Sequence, residues 1–187
     1  MDDEIDLLMK GLREQWPDLD VTSIALAGRI ARLSIHLGEI AAAVFVPEGI
    51  SLGESDVLAA LWRTGPPYEL SPSRLLASVT ISSGGMTGRL DRLEHAGLVT
   101  RRPDPDDRRG VLVRLTDEGE RLTAQLIHNY LTEQSRFLSV LTPAEAERLE
   151  RSLRKLMHAA RDSQRGNAET DGRGVAPAAT SRRRSRR

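Results

Sequence analysis

At 187 residues, with 39% hydrophobic but only 3% aromatic content, the chain is long enough for one domain with tails, and its core must be mostly Leu, Ala, Val and Ile. It has no cysteine, which excludes disulfides, thiolate metal sites and a cysteine redox switch, and its 29% charged residues favour an elongated helical protein over a compact sandwich. A formal net charge of zero does not exclude nucleic acid: residues 1–20 hold seven acids against Lys10 and Arg13, net −5, while residues 163–187 hold seven arginines against Glu169 and Asp171, net +5.

The acidic start MDDEID is no signal peptide and no long apolar run reads as a membrane span, so a cytoplasmic protein is expected. Ile5, Leu8, Met9 and Leu12 recur at helical spacing, predicting a short amphipathic helix over residues 3–15 that Pro17 ends, with Trp16 at the break. A long helix follows over residues 21–45. Its Ile30, Leu33, Leu37, Ile40 and Val44 keep the near-heptad spacing that suits a partner helix, and Pro47 and Gly49 close it. In SLGESDVLAALWRTGPP, Val57, Leu58, Leu61 and Trp62 form an apolar face before the stop at Gly65-Pro66-Pro67.

Ser71-Pro72 is an N-cap followed by proline at the first helical position, opening a short helix over 72–78. After a tight connection comes a helix over 82–96, with Leu90 and Leu93 inward and Gly97 as C-cap; the pair reads as a helix-turn-helix. Gly84, Gly85 and Gly88 each cost a helix roughly 0.5–1 kcal/mol against alanine, so either a DNA groove or a tightly packed helix must approach them. Residues 98–102 and 110–115 are strands around the tip PDPDDRRG, which presents Arg108 and Arg109. Thr116 caps a helix running to about Val140, and Thr142-Pro143-Ala144-Glu145 is a capping box opening a last helix that ends near Arg161. From Ser163 onward the composition predicts disorder, and its closing arginines either touch phosphates loosely or solubilise the chain.

The fold class is therefore mainly α with a small β wing: a winged helix-turn-helix domain embedded in a helical scaffold. Four segments are expected: 1–50, N-terminal helices for dimerisation and a ligand cleft; 51–116, the winged helix-turn-helix domain; 117–162, C-terminal dimerisation helices; and 163–187, a disordered Arg-rich tail.

The stretch LSPSRLLASVTISSGGMTGRLDRLEHAGLVTRRPDPDDRRGVLVRLTDEG resembles the MarR family of transcriptional regulators, most specifically in GLVTRRPDPDDRRGVLVRLTDEG. Helix placement extends the likeness to about residues 20–162. The resemblance implies a cytoplasmic homodimer with interlaced end helices, whose two winged lobes bind double-stranded DNA at a palindromic operator. Carried over by position, Ser82, Ser83, Gly84, Gly85, Met86 and Thr87 face base edges and phosphates. Arg109 enters the minor groove, oriented by Asp107, while Arg108 is either a second wing contact or a solvated turn residue. Ser71 and Ser73 contact phosphates.

Arg89 stands where the family is usually apolar, and the first short helix is extra; both features resemble the urate-responsive branch. In that branch Trp16, Asp56, Arg89 and Arg101 match an anion site, which implies a small anionic effector: urate, xanthine or a polycarboxylate. Two guanidiniums, one neutralised by a carboxylate, and an indole face form a coherent receptor for a planar anion. Each residue also has a plainer role: Trp16 as core filler, Asp56 as a helix N-terminal charge, Arg89 as a phosphate contact, Arg101 as a wing salt bridge. Thr64 is a further position able to change the choice of ligand.

No catalytic residues, cofactor or metal are expected: no Gly-rich loop follows a strand, and His36, His95, His128 and His158 lie scattered without ligand spacing. Three functions remain at this point: a ligand-responsive repressor, a winged helix used only for protein contacts, and the winged part of a small enzyme.

Overall fold

The computed structural model describes residues 3–18, 20–79, 83–107 and 109–171. The chain divides into two compact units, Met1–Phe137 and Leu138–Arg187, each described by itself. Ser82, Arg108 and residues 172–187 lie outside the described residues.

The first unit runs α1 (Glu4–Gln15), α2 (Thr22–Phe45), a 3-10 turn at Val46–Glu48, α3 (Leu52–Trp62), β1 (Glu69–Leu70), α4 (Pro72–Ser78), α5 (Ser83–His95), β2 (Val99–Pro103), β3 (Val111–Leu115) and α6, which extends over Asp117–Leu138. Local chemistry sets most of these boundaries. Asp3 caps α1 in a capping box with Asp6, and Ser51 caps α3 in another with Glu54. Thr116 accepts Gly119 N–H at 2.9 Å to open α6.

At the end of α5, Leu98 N–H reaches Leu93 C=O (2.9 Å) and Gly97 N–H reaches Glu94 C=O (3.0 Å), with Gly97 at φ 70. That pair of bonds is a Schellman motif, and it needs the left-handed residue that glycine supplies. Gly119 is glycine for a different reason: a Cβ there would lie 2.8 Å from the Leu98 carbonyl carbon and closer still to its oxygen.

The core is formed by α3 with α4, α5, the sheet and α6. Val57, Leu58 and Leu61 meet Leu75, Leu90, Leu93, Val113 and Leu126, all at most 2% exposed. A smaller cluster, Ile5, Met9 and Val21, fastens α1 to the start of α2. Asp3 and Asp6 hold Arg29 of α2 at 2.8 and 2.6 Å, and Arg32 meets Glu4 at 2.8 Å. Arg29 and the Asp6 backbone amide hold the Asp3 carboxyl below the usual range. The sheet is antiparallel, order β1-β3-β2, with Glu69 opposite Arg114 and Arg101 opposite Val113. β1 is absent from the sequence reading because two residues carry no alternation to read.

Two expectations change. Thr22–Glu48 does meet the length and composition of a membrane span, at mean hydropathy 1.4, where no such run was expected. The run is apolar because Ile24, Leu26, Leu33 and Ile35 stay exposed on α2 alongside the residues that pack inward. In the second unit, α7 runs Pro143–Asp171, ten residues beyond the expected end near Arg161. Extending a formed helix is far cheaper than nucleating one, and AARDSQRGNAE contains good helix formers. Glu145 reaches back to the Thr142 amide (2.9 Å) and hydroxyl (2.7 Å) at its start.

Candidate nucleic-acid interface and ligand cleft

The two helices of the helix-turn-helix are set by their caps and buried faces. Ser71 accepts from Arg74 N–H at 3.4 Å, Pro72 opens α4, and Leu75 is buried. On α5, Met86, Leu90 and Leu93 share one face at i, i+4 and i+7 and enter the core. Met86 is 4% exposed, so its expected place at base edges is corrected: the helical period turns it inward. Thr87 and Ser73 remain exposed, together with Arg74, and Ser83 and Gly84 start the helix. A Cβ on Gly88 would meet only Arg92 Nη1 at 3.6 Å, an ordinary contact, so tight packing within the chain does not account for that glycine.

The acids of PDPDD build the wing turn. Asp104 Oδ1 accepts Asp106 N–H and Asp107 Oδ1 accepts Arg109 N–H, both at 2.9 Å, while Gly110 N–H reaches Asp107 C=O at 2.8 Å. Asp107 thus fixes the Arg109 backbone and leaves its exposed guanidinium projecting beside a hollow of about 390 Å³ that Arg101 and Arg102 also line. Glu69 clamps Arg102 through both nitrogens, Nε at 3.0 Å and Nη2 at 2.7 Å, and this pair raises the Arg102 pKa. That clamp ties the wing to β1.

Three side-chain links hold α5 from outside its core face. Arg101 of β2 bonds Asp91 and Glu94, each at 2.7 Å. Arg92 bonds Glu54 of α3 at 2.5 Å. Arg89 lies on the backbone of α3 at Gly53, where an added Cβ would have to push its guanidinium aside. Its Nη1 is buried and donates to no acceptor among the described residues. An unsatisfied buried donor costs about 1–3 kcal/mol.

The four expected ligand residues are therefore only partly brought together. Gly53, under Arg89, and Asp56 are i, i+3 neighbours on α3, roughly 5–6 Å apart. Asp56 also lines a hollow of about 390 Å³ between α2, α3 and α6, with Leu37, Phe45, Arg63 and Tyr130. Arg101 is not part of this group: it is committed to two carboxylates on α5, the plainer wing role. Trp16 is the C-cap of α1 and is 55% exposed, and no described residue of α1 lines the hollow. Thr64 donates to Leu61 C=O at 2.7 Å and closes α3. Gly53, Glu54 and Arg92 were missed. Ser51-x-x-Glu54 was legible as a capping box, whereas the Arg92 contact spans 38 residues and left no local signal.

Residues 50–111 match the model of the MarR family. The chain is 35% identical over 146 residues, 78% of this chain and 88% of the relative, to the HTH-type transcriptional regulator PecS of Dickeya dadantii. It is 36% identical over 95 residues to the multiple antibiotic resistance protein MarR of Escherichia coli, covering 47% of this chain and 62% of that one. Among solved structures, a cysteine-to-serine mutant of Escherichia coli MarR complexed with operator DNA superposes with a TM-score of 0.63 at 28% identity, covering 74% of this chain and 98% of that chain.

Proposed function

The chain belongs to the MarR family of DNA-binding transcriptional regulators, not to a family of enzymes, and we propose that it is a cytoplasmic homodimeric repressor released from a palindromic operator by a small planar anion. The anion is urate, xanthine or a small polycarboxylate. The observation that carries the ligand reading is the buried, unpartnered Nη1 of Arg89 on the recognition helix, one turn of α3 from the Asp56 carboxylate. A planar acceptor reaching that nitrogen removes a cost of about 1–3 kcal/mol. A hundredfold change in operator affinity requires roughly 2.7 kcal/mol of coupling, so one such bond, made in only one of two dimer states, is of the right size.

The DNA-facing set in this reading is Ser71 and Ser73 at phosphates, Ser82, Ser83, Gly84, Gly85 and Thr87 along the groove, and Arg108 and Arg109 in the minor groove. Met86 takes no part. The dimer is supported by α2, where Leu26, Ile30 and Leu33, at i, i+4 and i+7 on one face, are 38–55% exposed, an apolar stripe that a lone soluble chain rarely leaves in water. Two recognition helices then lie in successive major grooves, about 34–36 Å apart.

The test is a mobility shift with duplex DNA from the intergenic region beside the coding sequence, with and without millimolar urate, xanthine or citrate. The expected result is sequence-selective binding that one of these anions abolishes. Absence of selective binding at moderate salt overturns the operator reading. Selective binding that none of the anions changes overturns the effector reading alone.

A further inference from the structure

Glu54 is the one charged residue in the buried core among the described residues, at 5% exposure. Its Oε2 takes the Ser51 N–H at 2.9 Å and the Ser51 hydroxyl at 2.6 Å, and its Oε1 takes Arg92 Nε at 2.5 Å. Burial pushes this carboxyl up, but Ser51 and Arg92 together more than cancel that and leave it lowered. The two ends of the ion pair are unlike. The Glu54 side chain is 7% exposed and locked into the α3 capping box, while that of Arg92 is 62% exposed on α5. Arg92 can leave; Glu54 cannot follow.

Gly53, the residue before Glu54, seats Arg89, three positions before Arg92. One turn of α3 therefore grips the recognition helix at two successive positions, one electrically satisfied and one with a donor left open. The same turn carries Leu52, Ser55 and Asp56, which wall the hollow between α2, α3 and α6. The same C-terminal part of α5 is also held by the Gly97 cap and by Arg101, which bonds Asp91 and Glu94 on either side of Arg92. Met86, Leu90 and Leu93 seat the core face of α5, and the Glu54–Arg92 bond adds a polar tether from α3 that resists its turning out of that seat.

We propose that Glu54 and Arg92 are positioning residues for DNA recognition, holding the recognition helix at its reading angle from the turn of α3 that also borders the ligand hollow. This rests on the DNA-binding reading above. Arg92 as a direct phosphate contact is the competing account, and the two predict opposite signs. Glu54→Gln keeps an oxygen for Ser51 but releases the arginine. If Glu54 positions the helix, operator affinity falls about tenfold, in the range that contacting residues of one network show. If Arg92 grips phosphate, Glu54→Gln frees a cation and binding holds or tightens.

The experiment compares wild type with Glu54→Gln, Arg92→Gln and their double variant for operator binding across a salt series. It adds amide hydrogen exchange of the DNA-free protein. The expected results are about tenfold weaker binding in each variant, a double variant no worse than either single, and an unchanged salt slope. Exchange in α5 should quicken severalfold while α2 and α6 keep their protection, and Arg92→Lys should recover part of the loss. A salt slope lower by about 0.9 in Arg92→Gln, with undiminished binding by Glu54→Gln, overturns the proposal. So does unchanged exchange in α5, or equal loss of protection throughout the first unit. Because exchange is read without DNA, it decides the tether even where no operator is bound.

Discussion

Gly119→Ala is expected to be the most damaging single methyl where α6 meets the winged domain. Gly119 sits in the first turn of α6, pressed onto the backbone of Leu98 where α5 turns into β2. A Cβ would stand 2.8 Å from the Leu98 carbonyl carbon and 3.1 Å from its Cα. Both neighbours are backbone, so no side chain can swing away. The same corner carries three bonds: Thr116 N–H to Leu98 C=O at 3.1 Å, Thr116 hydroxyl to Gly97 C=O at 2.7 Å, and Gly119 N–H to the Thr116 oxygen at 2.9 Å. Overpacking costs about 1–3 kcal/mol, and loss of one capping bond adds about 1 kcal/mol. A total of about 2–4 kcal/mol, at roughly 2–4 °C per kcal/mol for a chain of this size, lowers Tm by roughly 4–16 °C. Thermal unfolding followed by circular dichroism, at one fixed protein concentration because a dimer links Tm to concentration, measures it. A Tm within 1 °C of wild type would refute the steric reasoning.

Arg109→Ala should weaken operator binding at least tenfold while leaving dimerisation, by light scattering, intact; unchanged DNA binding would favour a winged helix used for protein contacts. Gly53→Ala places a methyl against the Arg89 guanidinium, the mobile end of a side chain, so folding should survive. The urate response should fall several-fold more than operator affinity does in the same mobility shift, whereas equal loss of both would mean that Arg89 acts on DNA directly. Stability should also drop in acid. Asp3 and Glu54 have lowered pKa values in the fold, so their contribution is complete above the ordinary carboxylate range, near pH 4–4.5, and is lost as pH falls through the folded values. Urea midpoints from pH 7 to pH 3 should show this fall, and Glu54→Gln should flatten it; an identical profile in that variant would remove Glu54 from the account.

Sequence alone determined the helices, the two wing strands and their order along the chain. Asp3, Ser71-Pro72, Gly97 and Thr116 act on backbone groups within one helical turn, so their effect is legible without tertiary structure, and the expected helix bounds lie within a residue or two of those found except at the end of α7. Met86 belongs to this class too: its i, i+4 and i+7 relation to Leu90 and Leu93 places it on the core face of α5. Only the tertiary structure decided which charge meets which. Arg101 had carboxylates or a ligand open to it and took Asp91 and Glu94, because the β2–α5 corner brings them within 2.7 Å. Glu54 and Arg92, Gly119 and Leu98, and Arg89 and Gly53 are each distant in sequence. Ion pairs and steric contacts fall off over a few ångströms, and that proximity exists only once the core of Leu58, Leu61 and Leu93 has closed.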